Sequence, residues 1–169
     1  MNIKKTANLL LNFAIKRIAE IFGIIIFISG ILLLISLITY TPEDPNFVFP
    51  KNTEIKNLLG FQGSFVSDLF FQSVGLISYL ISFTFIITGV NIFKLKEFFL
   101  IIENTFFTVI YSIFGTLFLT QFYSKAFTLY INGNGGFIGN YLNQTFFGSL
   151  IQLNETIFYY FLILLISFL

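Results

Sequence analysis

The run from Ile21 to Ile38, IFGIIIFISGILLLISLI, holds eighteen residues without a charge. An α-helix rises about 1.5 Å per residue, so roughly 20 apolar residues cross a hydrocarbon core about 30 Å thick. A helix that is apolar all round is either the centre of a large core or a membrane span. Composition decides between them. Hydrophobic residues make up 56% of the chain and charged residues 10%, against about 25% charged in soluble domains. The run is read as a membrane span.

The plan of span, polar connection and span repeats along the chain. It predicts an all-α integral membrane fold with four transmembrane helices at about 21–40, 66–93, 102–123 and 153–169. A short interfacial helix at about 137–148 is expected between the third and fourth, because Gly139, Asn140, Asn143, Gln144 and Gly148 punctuate it. The fourth apolar stretch is too short to cross and no Lys or Arg closes it, so the chain is expected to continue past Leu169. The domain reading is a basic N-terminal tail, 1–20, and a four-span domain, 21–169.

The connections carry turn chemistry. Pro42 and Pro45 cannot sit inside a continuous helix, so Thr41-Pro-Glu-Asp-Pro45 ends the first span. Residues 46–57, with Pro50, Lys51, Glu54 and Lys56, read as a solvated loop. Gly60-Phe-Gln-Gly63 reads as a turn into Ser64, an expected N-cap, with Asp68 in the first turns of the second span complementing its dipole. Lys94-Leu-Lys-Glu97 is short enough to force an antiparallel hairpin. Asn132-Gly-Asn-Gly-Gly136 is too polar to face lipid, and Gly135-x-x-x-Gly139 has the spacing of a helix-packing motif. Small residues also dot the first span at Gly23, Ser29, Gly30 and Ser36. Such residues are common in membrane helices, and a packing role for these four is not the favoured reading.

Charge sets the expected topology. The tail and the 94–97 turn hold Lys4, Lys5, Lys16, Arg17, Lys94 and Lys96, with Glu20, Glu97 and Glu103 nearby. The other connections hold Lys51, Lys56 and Lys125 against Glu43, Asp44, Glu54, Asp68 and Glu155. The N-terminus is therefore expected in the cytoplasm. Residues 3–19 have helical apolar spacing and read as a juxtamembrane amphipathic helix on that side.

Several functions are excluded or disfavoured. The chain has no Cys and no His, which removes thiolate chemistry and the commonest general base and metal ligand. It has no G-x-x-x-x-G-K-[ST] phosphate loop, and no pair of acids falls at the middle of a span. A net charge of +1 offers no surface for nucleic acid.

One ordered series of residues goes further. The first span exits into Tyr40-Thr-Pro-Glu-Asp-Pro45. Asn57-Leu-Leu-Gly60 with Gly63 follows, then Asp68-Leu-Phe-Phe71 with Gly75, and later Gly135-Gly-Phe-Ile-Gly139. This series resembles the N-terminal four-helix membrane domain of the FtsK/SpoIIIE-type bacterial DNA translocases over about 21–169. Ser67 and Val74 stand where that family's pattern has Ala and Phe. The resemblance assigns structural positions to Thr41, Pro42, Asp44, Pro45, Asn57, Gly60, Gly63, Asp68, Gly75, Gly135, Gly136 and Gly139. It implies no catalytic, cofactor or metal residue here, because ATP, Mg and DNA would engage a hexameric cytoplasmic motor beyond this segment. It further implies a septal location in the inner membrane, divisome membrane proteins as partners, and a role in chromosome segregation and cell division. The alternative is a small stand-alone membrane protein such as a transporter subunit, which requires polar residues meeting at the midplane. Gln72, Asn91 and Gln121 are its candidates.

Overall fold

The computed structural model describes residues 3–45, 54–124 and 132–168. The expected loop residues Pro50 and Lys51, and Lys125 as the end of the third span, fall outside them. The described residues form helices α1 (Ile3–Ile38), α2 (Gly60–Val74), α3 (Ile77–Leu95), α4 (Phe99–Phe122), α5 (Gly136–Asn143), α6 (Phe146–Leu153) and α7 (Glu155–Phe168), with no strand among them. Three helices are long and apolar enough to cross a membrane, Asn8–Ile38 within α1, then α3 and α4, and Glu155–Ser167 is a shorter apolar fourth.

The long helices alternate in direction. Glu20 of α1 meets Lys96 just after α3, Gly23 meets Gly89, and Leu37 accepts a hydrogen bond from Tyr79. These pairings run antiparallel. On the other side of α3, Thr88 meets Asn104 and Thr84 meets Tyr111, so α4 runs back. Tyr123 beside α4 meets Tyr159 of α7, so α7 reverses once more. Two ends result. One carries the tail and the 94–97 turn, here the basic end. The other gathers the 41–45, 54–59 and 132–135 segments, here the loop end. The charge reading separates the same two sets of segments.

The turn at the basic end is as short as expected. Lys96 closes α3 in the left-handed region at φ 61°, and α4 starts three residues later. Glu20 takes Arg17 at 2.6 Å and Lys96 at 2.7 Å, tying α1 to the turn. Glu103 is exposed.

The seam between α1 and α3 is made by glycines. A Cβ on Gly23 would lie 2.7 Å from Phe93 N and 2.8 Å from Gly89 O, and one on Gly89 would lie 2.5 Å from Phe27 N. Gly30 sits equally close to Ile86 N, at 2.8 Å. The packing role that the sequence did not favour is therefore present at Gly23 and Gly30. Ser29 takes no part in this close approach; it is exposed and donates to Ile25 O of its own helix.

Three expectations shift. The second span, expected as one helix over 66–93, is two helices with a break at Gly75 and Leu76. Gly75 has φ 60° and ψ −139°, a conformation that only glycine adopts freely. The crossing helix is thus Ile77–Leu95, 19 residues or about 28 Å. The expected interfacial helix is likewise two, α5 and α6, with Thr145 extended between them. Finally, α1 runs unbroken from the tail into the first span.

The buried apolar core lies toward the loop end, where Leu33, Leu37, Phe71, Val74, Ile77, Ile81 and Tyr111 pack together. A second cluster, Leu117, Ile151 and Leu162, joins α4, α6 and α7. Elsewhere large apolar side chains such as Ile24, Ile28, Ile87, Phe106 and Val109 face outward, as a lipid-facing surface requires.

Candidate functional site

The residues singled out in the sequence converge at the loop end, in two connected clusters. The first closes the connection between α1 and α2. After α1 the chain turns, with Asp44 N–H bonded to Thr41 O and Thr41 and Pro42 half-buried. Asp44 and Pro45 are buried. The Asp44 carboxylate then receives the returning strand of chain: Lys56 N–H donates to Oδ1 at 2.9 Å and Asn57 N–H to Oδ2 at 2.8 Å. One side chain thus satisfies two consecutive backbone donors, which are costly to bury unpaired.

Asn57 extends the same logic. Its Nδ2 donates to Ser36 O at 2.9 Å, and its Oδ1 accepts Leu59 N–H at 3.0 Å. Gly63 is required beside it, because a Cβ there would lie 2.5 Å from Leu59 Cβ and closer still to Asn57 Oδ1. Ser36 Oγ donates to Gly63 O at 2.6 Å. Gly60, by contrast, has φ 66° and open space around it, so its backbone conformation alone calls for glycine.

Two readings are corrected here. The helix begins at Gly60, so Ser64 lies inside α2 and is not its N-cap. It is buried and donates to Pro45 O at 3.1 Å. Asp68 is also beyond the first turn. It accepts the Tyr40 hydroxyl at 3.0 Å and Gln72 Nε2 at 3.4 Å, which makes it a tie between the end of α1 and α2. The Tyr40 ring packs on Phe71, centroids 4.9 Å apart, and Phe71 on Tyr79 at 5.5 Å.

The second cluster is a backbone crossing. Leu76 N–H donates to Asn134 O at 2.9 Å. A Cβ on Gly75 would overlap the Asn134 carbonyl, and one on Gly136, at φ 65°, would lie 2.6 Å from Ser73 O. Two chain segments pass with no room for a side chain on either. Gln72 binds both edges of the approaching loop, accepting Asn132 N–H at Oε1 and Asn132 Nδ2 at its carbonyl. Asn134, itself buried, donates to Tyr123 O. Gly139 completes the seat, since a Cβ there would lie 2.5 Å from Thr116 O of α4; Gly135 faces the same two threonines, Thr116 and Thr120.

The contacts of this arrangement join one segment of the chain to another. Its acids are occupied with backbone and hydroxyl donors, and no group of three His, Cys, Asp or Glu side chains that would hold a metal occurs among the described residues. Gln72, a candidate for a transport path, is engaged with Asp68 and Asn132. Two polar pairs join α3 and α4: Thr84 with Tyr111 at 2.9 Å, and Asn104 with Thr88 at 2.7 Å. Sequence reasoning named Ser36 only as a small residue and missed the parts played by Asn132 and Asn134. A signal existed for the asparagines, since amides between glycines are suited to bonding local backbone.

Fold and loop end together define a multi-pass α-helical membrane domain whose apolar helices are tied at one end by glycine-dependent contacts between connections. The family model for the 4TM region of DNA translocase FtsK/SpoIIIE matches residues 15–169, and the chain belongs to that family. Among curated proteins it is similar to a DNA translocase FtsK of Azospirillum brasilense, 27% identical over 112 residues, which is 65% of this chain and 17% of that protein. It is also similar to a DNA translocase FtsK of Rickettsia prowazekii (strain Madrid E), 33% identical over 69 residues, 41% of this chain and 9% of that protein. The matched stretches therefore cover less than a fifth of either relative. No solved structure matches it.

Proposed function

We propose that this domain anchors a DNA translocase in the bacterial inner membrane and brings it to the division septum for chromosome segregation. The observation that carries this reading is the family match across 15–169. The geometry supports an anchoring role: Asp44, Asn57, Asp68, Gln72 and Asn132 at the loop end are engaged in fixing connections. In this reading the N-terminus is cytoplasmic, and a linker and a hexamerising motor follow the fourth helix. ATP, Mg and DNA are engaged by that motor, and divisome membrane proteins meet the spans or the loop end.

A fluorescent protein fused to the N-terminus, expressed in dividing cells of the source bacterium, tests the reading. Fluorescence concentrated in a band at the constriction is the expected result. Fluorescence spread evenly around the membrane through the whole division cycle would overturn the septal role. Topology is tested separately. The chain has no cysteine, so Glu43→Cys is expected to react with an impermeant maleimide in intact cells and Lys94→Cys only after permeabilisation.

A further inference from the structure

α1 is longer than a crossing needs. Its 36 residues extend about 54 Å, against a hydrocarbon core of about 30 Å. The basic end fixes where the surplus lies. The Arg17–Glu20–Lys96 cluster belongs at the headgroups and not in hydrocarbon, and the uncharged run starts one residue later. Residues 8–18 therefore project past the headgroup plane, and every one of them is exposed. Among them Leu9, Leu10, Leu11, Phe13, Ile15 and Ile18 are 42–66% exposed.

Two simple dispositions fail. Left to project into water, this segment exposes six large apolar side chains. Drawn wholly into the bilayer, the 31 residues Asn8–Ile38 would need a tilt near 50° to fit, beyond the roughly 40° limit seen for membrane helices. That would also pull Lys16, Arg17 and Glu20 into hydrocarbon.

The sequence pattern indicates a third. At about 100° per residue, Leu10, Leu11, Ala14, Ile15 and Ile18 share an arc of about 140°, while Asn8, Asn12 and Lys16 fall together on the other side. Phe13 lies off the apolar arc and its ring is covered by the Arg17 guanidinium at 5.0 Å; Leu9 is the one exception. Before Glu20 the chain carries Lys4, Lys5, Lys16 and Arg17 and no acid. An amphipathic basic segment beside a span matches an anionic lipid surface in both area and charge.

We propose that residues 8–18 lie along anionic lipid headgroups with the Leu10–Ile18 arc immersed. This disposition requires α1, continuous from Ile3 to Ile38 in the structure, to bend at the bilayer surface just before Glu20, which Lys96 pins to the bundle. The departure costs the backbone hydrogen bonds of about one turn and is offset by five immersed apolar side chains. This inference is independent of the translocase reading.

The chain has no tryptophan, so single substitutions give unambiguous fluorescence. Leu11→Trp, Asn12→Trp and, as a mid-span reference, Leu32→Trp are made in the whole chain. Each is reconstituted into vesicles of phosphatidylcholine, alone or with phosphatidylglycerol, containing brominated acyl chains. Leu32→Trp quenched in both vesicles reports correct insertion. The expected result is blue-shifted, quenched emission from Leu11→Trp and unquenched, red emission from Asn12→Trp. Removing phosphatidylglycerol, or adding Lys16→Gln with Arg17→Gln, should cause a severalfold loss of the Leu11→Trp quenching. Equal emission at the two positions would overturn the proposal, as would quenching indifferent to phosphatidylglycerol. A blue shift without quenching that grows with protein per vesicle would also overturn it, assigning the face to a second copy of the chain.

Discussion

The loop end and the α1–α3 seam solve the same problem, holding neighbouring segments together, by opposite means. At the loop end the contacts are hydrogen bonds between side chains and backbone: Asp44 accepts from two amides, Asn57 donates to Ser36 O, Ser36 to Gly63 O, and Asn134 to Tyr123 O. In the seam, Gly23, Gly30 and Gly89 contribute nothing but the absence of a side chain. The difference follows from the state of the backbone. A helix in lipid satisfies its own donors and acceptors, so association there depends on close packing. Where the chain leaves the helix its amides lose their partners, and side chains must supply new ones. Gly75 and Gly136 stand at the meeting of the two regimes, where a backbone crossing needs both a hydrogen bond and a missing side chain.

Substitutions test this contrast. The largest loss is expected from Gly75→Ala, which adds left-side backbone strain of roughly 1–2 kcal/mol to overlap with the Asn134 carbonyl. A total cost of about 3 kcal/mol or more would lower the midpoint of an SDS titration in mixed micelles most among these variants. Gly60→Ala, with φ also positive but nothing nearby, isolates the conformational part at about 1 kcal/mol. Equal losses at the two glycines would show that the backbone crossing is not tight.

Asp44→Ala is next. It leaves the Lys56 and Asn57 amides unpaired, at a cost of about 2–3 kcal/mol, read as a lower thermal midpoint by circular dichroism. Asp44→Asn, which keeps one carbonyl acceptor, should recover part of it. No difference between the two would mean that water satisfies these amides and that the loop end is loosely held.

Gly89→Ala places a methyl where Phe27 N is 2.5 Å away. Parting the two helices by that much should cost about 1–2 kcal/mol. A neutral result would remove the seam from the comparison.

Glu20→Gln should be the mildest. Arg17 is largely exposed, and such solvated pairs contribute little, less still in high salt. The expected loss in thermal midpoint is small and disappears in concentrated sodium chloride.

Much of this architecture was legible in the chain. Uncharged runs of helical length announced the apolar helices, prolines at 42 and 45 marked the end of the first, and the uneven distribution of Lys and Arg sorted the connections into two ends. The family-like series contains Asp44, Asn57, Gly63, Gly75, Gly135, Gly136 and Gly139, all of which make close contacts at the loop end. Their partners were not legible. Asp68 and Ser64 read as caps because a local rule was applied to a helix whose start lay several residues earlier. The break at Gly75 was hidden for a related reason: hydropathy is continuous across 69–93, and one glycine inside such a run is ordinary.

What the sequence determined by itself is therefore the solvent of each segment. Apolar length and charge spacing depend only on transfer between water and lipid, a property that each residue carries wherever it sits. Tertiary structure decided which glycines are obligatory and which polar side chains meet. Those outcomes depend on approach between segments distant in the chain, as when Gln72 reaches Asn132 or Gly75 passes Asn134. Such approaches are fixed only when the helices have packed, because it is the packing that brings those backbones close enough for a methyl group or a hydrogen bond to matter.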